Sequence, residues 1–183
     1  TATSEIYTLS LHDALPIYRQ FMGAVGDPRL LADVGDWVLA TACDHATDWP
    51  PTHDGECLRL TVNVSVEQLM RGDFAARVAT ALRTSGLKAE RLELDLDEKV
   101  LALDSPTLAA TLERIAATGV RLSIDDFGRG LSSIPRLRRY PLAALKLDPE
   151  LVRGVGRSED SEAIVEAVGA LAGTLGLEIY ARG

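Results

Sequence analysis

The sequence predicts an α/β fold built on a parallel sheet, and three observations carry that prediction. Short runs of branched apolar residues alternate with stretches whose apolar residues recur every three or four positions. Strands of about five residues separated by helices of ten or more require crossover connections, which leave neighbouring strands parallel. Asn63, Asp95, Asp125, Lys146 and Arg182 all fall at or near the carboxyl ends of the expected strands, the edge where parallel α/β proteins bind ligands. Periodicity alone leaves a barrel and an open doubly wound sheet both standing. Five successive strands each delivering a polar group to one edge favour a barrel mouth over a crevice at a single switch point.

The elements follow in chain order. Residues 30–43, LLADVGDWVLATAC, form an amphipathic helix expected to turn Leu30, Val34 and Trp37 or Val38 inward. The segment DHATDWPPTHDGE ends it with two prolines and a glycine. CLRLTVNVS, residues 57–65, reads as the first strand, and Leu69, Phe74, Val78 and Leu82 mark the helix after it. RLELDL, residues 91–96, is the second strand; Leu108, Leu112 and Ile115 line the next helix, which Gly119 stops. VRLSI, residues 120–124, is the third strand and LAALKLD, residues 142–148, the fourth. A longer helix from Asp160 to Leu175 ends at Gly176, and LEIYARG is the fifth strand.

Composition bounds the function. The chain of 183 residues fits one domain, and 19 Lys and Arg against 27 Asp and Glu give a net charge of -8. A general DNA binder presents a basic face, so DNA is not an expected partner. No stretch approaches the roughly 20 apolar residues that span a bilayer, and the expected location is cytoplasmic. Cys43 and Cys57 form neither a metal-cluster spacing nor a disulfide framework and read as free thiols of a reducing compartment.

The chemistry concentrates in LSIDDFGRGLSS, residues 122–133. Adjacent side chains on a strand point to opposite faces, so Asp125 and Asp126 reach one mouth together only if the strand ends between them and the backbone turns. Gly128 and Gly130 supply the conformational freedom for such a turn. With Asp95 and Asn63 on the two preceding strands, three carboxylates and an amide oxygen would converge into an all-oxygen site suited to Mg²⁺ or Mn²⁺. Two such ions about 3.5–4 Å apart activate water for an in-line displacement at phosphorus. Asp125 or Asp126 would bridge them, and Lys146 would orient the attacking water or meet the phosphate oxygens.

LRLTVNVSVEQL, RLELDLDE, GVRLSIDDFGRGLSSIPRLRRYPLAALKLDPELV and LAGTLGLEIYARG resemble, in order and spacing, the EAL domain of bacterial cyclic di-GMP phosphodiesterases over about residues 29–183. The resemblance implies a modified TIM-type (β/α) barrel that hydrolyses cyclic di-GMP to pGpG with two Mg²⁺ or Mn²⁺ ions. It makes Asn63, Asp95, Asp125 and Asp126 the metal ligands, Lys146 and Asp125 the catalytic residues, and Arg182 and Asp148 the substrate-binding ones. Glu98 falls on the acidic residue that closes the second of these segments. The implied partners are cyclic di-GMP, a second copy in a homodimer, and sensor or diguanylate cyclase (GGDEF) domains linked in the full protein.

The departures from the family pattern set further expectations. The Glu-Ala-Leu strand is absent, HDALPI offering only Asp13, Ala14 and Leu15. Asp95 is one methylene shorter than the family's glutamate, and Arg182 stands where another metal-binding glutamate is expected, a change of two charge units beside a cation site. Residues 4–17, SEIYTLSLHDALPI, resemble translated sequencing-adapter sequence, which sets an unmatched segment, residues 1–20, apart from an incomplete EAL-like domain, residues 21–183. About five parallel strands are expected, without equivalents of the barrel's first, second and eighth. Such a partial barrel would be inactive, and Ile124, Leu145 and Ile179 would lie partly exposed. The alternative function is a non-catalytic domain that binds cyclic di-GMP or a protein.

Overall fold

The computed structural model describes residues 27–53, 55, 57–128 and 137–181. Five strands form one sheet: β1 (Leu60–Val64), β2 (Leu92–Asp97), β3 (Arg121–Phe127), β4 (Ala144–Leu147) and β5 (Glu178–Ala181). All four neighbouring pairs are parallel, and the spatial order is the chain order, β1-β2-β3-β4-β5. Each strand is added on the same side of the last. A doubly wound sheet reverses direction at a switch point; a barrel does not, so the strand order decides for the partial barrel.

The helices are α1 (Pro28–Thr47), α2 (Val66–Met70), α3 (Phe74–Ser85), α4 (Pro106–Ala116), α5 (Pro149–Gly154) and α6 (Glu159–Leu175). Their starts are written locally. Asp27, Ser65, Ser105, Asp148 and Ser158 each accept a backbone N–H from the first turn of α1, α2, α4, α5 and α6, satisfying donors that a helix leaves open. Gly86 and Gly176 end α3 and α6 in the left-handed conformation. The stretch read as one helix after β1 is two, because Arg71-Gly72-Asp73 separates α2 from α3.

Strand parity divides the side chains. Leu92, Leu94 and Leu96 alternate with Glu93, Asp95 and Asp97, and the leucines are fully buried with Leu122, Ile124 and Leu145 against Leu69, Phe74, Val78, Leu108, Leu112 and Ile115. Burying a side chain of this kind contributes roughly 1.5–3 kcal/mol. Ile124 and Leu145 are therefore not exposed as expected: both face the helices rather than the barrel interior, so helix packing alone covers them. Ile179 on β5 does remain 36% exposed. The inward stripe of α1 differs in part from expectation. Its buried residues are Ala32, Leu39, Cys43 and Ala46; of those expected inward, Val38 packs against the core and Val34 is half-buried, while Leu30 and Trp37 are exposed.

The two aspartates of β3 share an edge by a different device from a strand end. Ile124 pairs with Leu145 and Phe127 with Leu147, so three steps on β3 oppose two on β4. Asp126 absorbs the extra residue at φ 52°, a left-handed conformation that aspartate tolerates better than most side chains. This is a β-bulge, and such bulges re-aim side chains at barrel rims. Gly128 follows at φ 105°, where a Cβ would lie 2.4 Å from Leu151 Cδ1 of α5, so α5 packs directly on the backbone beyond the bulge.

Candidate functional site

The side of the sheet away from the helices carries the polar residues. Register places Asn63 beside Asp95, Asp95 beside Ser123 and Asp97 beside Asp125, and Lys146 beside Tyr180. Asn63 and Asp126 are exposed and Asp125 is half-buried. Asp95, Lys146 and Asp148 are buried. Asp125 is near enough to Asp95 for its charge to act on that carboxyl.

Lys146 forms the centre. Its Nζ donates to Asp95 Oδ2 at 2.7 Å, lies 2.7 Å from Asp95 Oδ1 and 2.8 Å from Glu93 Oε1. All three side chains are at most 4% exposed. Ser123 Oγ also donates to Asp95 Oδ1. Below them, toward the amino ends of the strands, Arg121 Nε lies 3.4 Å and Arg59 Nη1 3.6 Å from Glu93 Oε2. Arg121 Nη2 reaches Glu178 Oε2 at 2.7 Å, and Tyr180 donates its hydroxyl to the same carboxylate.

The two acids on Lys146 titrate in opposite senses. Burial pushes the Asp95 carboxyl up and the nearby Asp125 charge adds to that; Lys146 and Ser123 oppose it, and the net displacement is upward. Burial likewise works against the Glu93 carboxylate, but Lys146, Arg59 and Arg121 together hold it below the usual range. Lys146, Arg59 and Arg121 serve Glu93, whereas among the described residues the cation acting on Asp95 is Lys146.

Of the residues expected at the mouth, Asp148 caps α5, its Oδ1 accepting the Glu150 N–H at 2.7 Å. Glu98 opens a 3₁₀ turn, Glu98–Ala102, directly after β2. Arg182 lies outside the described residues. The sequence reading passed over Glu93, Arg59, Arg121, Glu178 and Tyr180. Glu93 carried a signal: two positions before Asp95 on a strand, it shares that residue's face.

The donor set has the right chemistry for a hard divalent ion, since Asn63, Asp95, Asp125 and Asp126 offer oxygen alone. The arrangement does not fit two ions. Asp95 is already occupied by an ammonium and a hydroxyl, and among the described residues no group of three or more His, Cys, Asp and Glu side chains is gathered as a metal would need.

The EAL domain family matches residues 9–183. The chain belongs to that family. The EAL chain is 37% identical over 166 residues to the cyclic di-GMP phosphodiesterase NbdA of Pseudomonas aeruginosa, covering 90% of this chain and 21% of NbdA. The solved c-di-GMP complex of the PaMucR phosphodiesterase is 33% identical with TM-score 0.79, covering 90% of this chain and 66% of that one; MucR of the same organism is named a bifunctional diguanylate cyclase/cyclic di-GMP phosphodiesterase. Klebsiella pneumoniae BlrP1, solved as a manganese/cyclic-diGMP complex, shares the fold at 23% identity and TM-score 0.74, over 90% of this chain and 41% of that one. The chain spans 18% and 20% of the first two curated relatives it matches. No helix among the described residues is long and apolar enough to cross a membrane.

Proposed function

We propose that this EAL chain belongs to a cytoplasmic cyclic di-GMP signalling protein and that, in these 183 residues, it recognises the dinucleotide without hydrolysing it. The lineage rests on the family match and on relatives named cyclic di-GMP phosphodiesterases. The absence of turnover rests on one observation: the Lys146 ammonium sits 2.7 Å from both oxygens of Asp95, the carboxylate that the resemblance gives to a metal. Catalysis at phosphorus by paired Mg²⁺ or Mn²⁺ needs ligands held within about 0.5 Å of working geometry, and loss of a single charge-stabilising group there lowers rate about 100-fold or more.

In this reading residues 21–183 form the body of the domain, within the residues 9–183 that the family matches. Asn63, Asp125 and Asp126 form the acidic rim with Asp95. Arg182 supplies a guanidinium for a phosphate oxygen, and Asp148 is the second substrate-binding residue that the resemblance implies. Sensor or diguanylate cyclase domains, or a second copy of the chain, are the partners proposed for the full protein.

Two measurements test this. Incubation of the chain with cyclic di-GMP and Mg²⁺ or Mn²⁺, followed by chromatography, is expected to yield no pGpG; turnover near one per second, an ordinary enzyme rate, overturns it. Calorimetric titration is expected to give binding that survives chelator. Binding abolished by chelator would return the site to metal-dependent recognition.

A further inference from the structure

Among the described residues, the ion pairs around Lys146 fall into two groups of matched charge. Arg59 and Arg121 face Glu93 and Glu178 at 2.7–4.0 Å, two cations against two carboxylates. Among the described residues that leaves the Lys146 ammonium as the cation on Asp95. The Lys146–Asp95 pair is the part that opens toward the rim, since Asp125 acts on Asp95 by charge and Asn63 is its register neighbour.

We propose that Lys146 is the resident counter-ion of Asp95, that it competes with any divalent cation for that carboxylate, and that Glu93 is the seat onto which the ammonium withdraws when such a cation arrives. The proposal rests on the reading of Asp95 as the cation-facing carboxylate of an EAL site. A divalent ion approaching Asp95 meets the Lys146 ammonium 2.7 Å from both carboxylate oxygens, so it binds there only by displacing that ammonium. The displacement is short. Nζ is already 2.8 Å from Glu93 Oε1, and an ammonium carries three donors that can be redistributed without leaving the cluster. Glu93 and Asp95 sit two residues apart on β2, both 2% exposed, so the ammonium exchanges one buried carboxylate for another and never becomes an unpaired buried charge.

Glu93 is thus a positioning residue. It gives Lys146 somewhere to go, and it acts on the rim only through that side chain.

Mn²⁺ itself, followed by the loss of its free-ion electron paramagnetic resonance signal, is the probe, with the full chain as wild type, Lys146→Met, Glu93→Gln and the double variant Asp95→Asn/Lys146→Met. Lys146→Met is expected to bind Mn²⁺ at least tenfold more tightly than wild type, because the competing cation is gone. Glu93→Gln keeps the lysine but removes its second seat and is expected to bind several-fold more weakly than wild type. The conservative Gln variant keeps shape and burial, and circular dichroism on every variant establishes that it is folded. Should Lys146→Met fail that check, wild type against Glu93→Gln decides. Unchanged or weaker binding in a folded Lys146→Met, or equal or tighter binding in Glu93→Gln, overturns the competition itself. A gain in Lys146→Met that persists in Asp95→Asn/Lys146→Met overturns the underlying reading of Asp95. Loss of that gain in the double variant supports both, and cyclic di-GMP enters none of these measurements.

Discussion

Replacing Gly35 with alanine tests the contact between α1 and the start of α2. Gly35 is an interior residue of α1 that a helix would ordinarily prefer as alanine by about 1 kcal/mol. A Cβ there would lie 2.4 Å from Gln68 Oε1, 2.5 Å from its Cδ and 2.6 Å from its Nε2, closer than real Cβ contacts come. Gln68 is 3% exposed and fixed at both ends of its amide: Oε1 accepts the Ser65 N–H at 3.2 Å and Nε2 donates to Asp36 Oδ1 at 3.0 Å. The added methyl must displace that amide, straining two hydrogen bonds of about 0.5–1.5 kcal/mol each and overpacking the site by about 1–3 kcal/mol. After the propensity gain is subtracted, the expected net loss is about 1–3 kcal/mol. Gly169 and Gly173 in α6 are the controls, because nothing lies within 4 Å of a Cβ added at either; each alanine variant should gain about 0.5–1 kcal/mol. Urea unfolding monitored by circular dichroism measures all three. Gly35→Ala as stable as Gly169→Ala would refute the close-contact argument, as would a Gln68→Ala substitution that fails to relieve the loss.

Two more outcomes follow from the packing around the other buried groups. Lys146→Met removes the ammonium that lies 2.7 Å from buried Asp95 and should cost about 3–5 kcal/mol at pH 7. The Asp95 carboxyl is already raised in the folded protein and rises further in the variant, so its protonated form is the one folding favours: the penalty is full above its folded pKa and fades as pH falls through that value toward the ordinary carboxylate range of about 4. The stability gap to wild type, from denaturant titrations between about pH 7 and pH 4, should therefore narrow on acidification, and a constant gap refutes the assignment. Of the two free thiols, Cys43 is buried with its pKa pushed up by burial to about 11, whereas Cys57 is exposed. A thiol reagent at about pH 8 should label Cys57 in the folded chain and Cys43 only on unfolding; early modification of Cys43 would contradict its packing.

Much of the fold was legible because strand alternation is a local property. LELDL announces by itself that three leucines share one face and two acids the other, and the structure sorts them so. What LELDL cannot announce is the ammonium that joins the two acids, which arrives 51 residues later on β4. Asp95 was therefore singled out and Glu93 was not. The helix after β1 was read across Arg71-Gly72-Asp73 because Phe74, Val78 and Leu82 keep a helical spacing and Leu69 was counted with them, although its five-residue step to Phe74 falls off that face. In α1 the large residues Leu30 and Trp37 suggested the inward stripe, yet the buried one begins at Ala32 and continues through Leu39 and Cys43, since small side chains let that helix approach its neighbours. The adjacency of Asp125 and Asp126 correctly demanded a departure from plain strand geometry. The glycines after them drew the attention, but Asp126 itself adopts the left-handed conformation.

The three-against-two pairing of β3 with β4 also determines how this rim could be transplanted. Deleting Asp126 would do more than remove a charge: with the extra step gone, Asp125 would fall opposite Lys146 and Phe127 would keep Leu147 as its partner, so β3 would run on as a plain strand and the kink that re-aims the carboxylates would be lost. Grafting both carboxylates onto another parallel sheet therefore means carrying Asp125, Asp126 and Phe127 as one backbone cassette with the matching Lys146–Leu147 segment. The portable unit is the kink, and the acids are passengers on it.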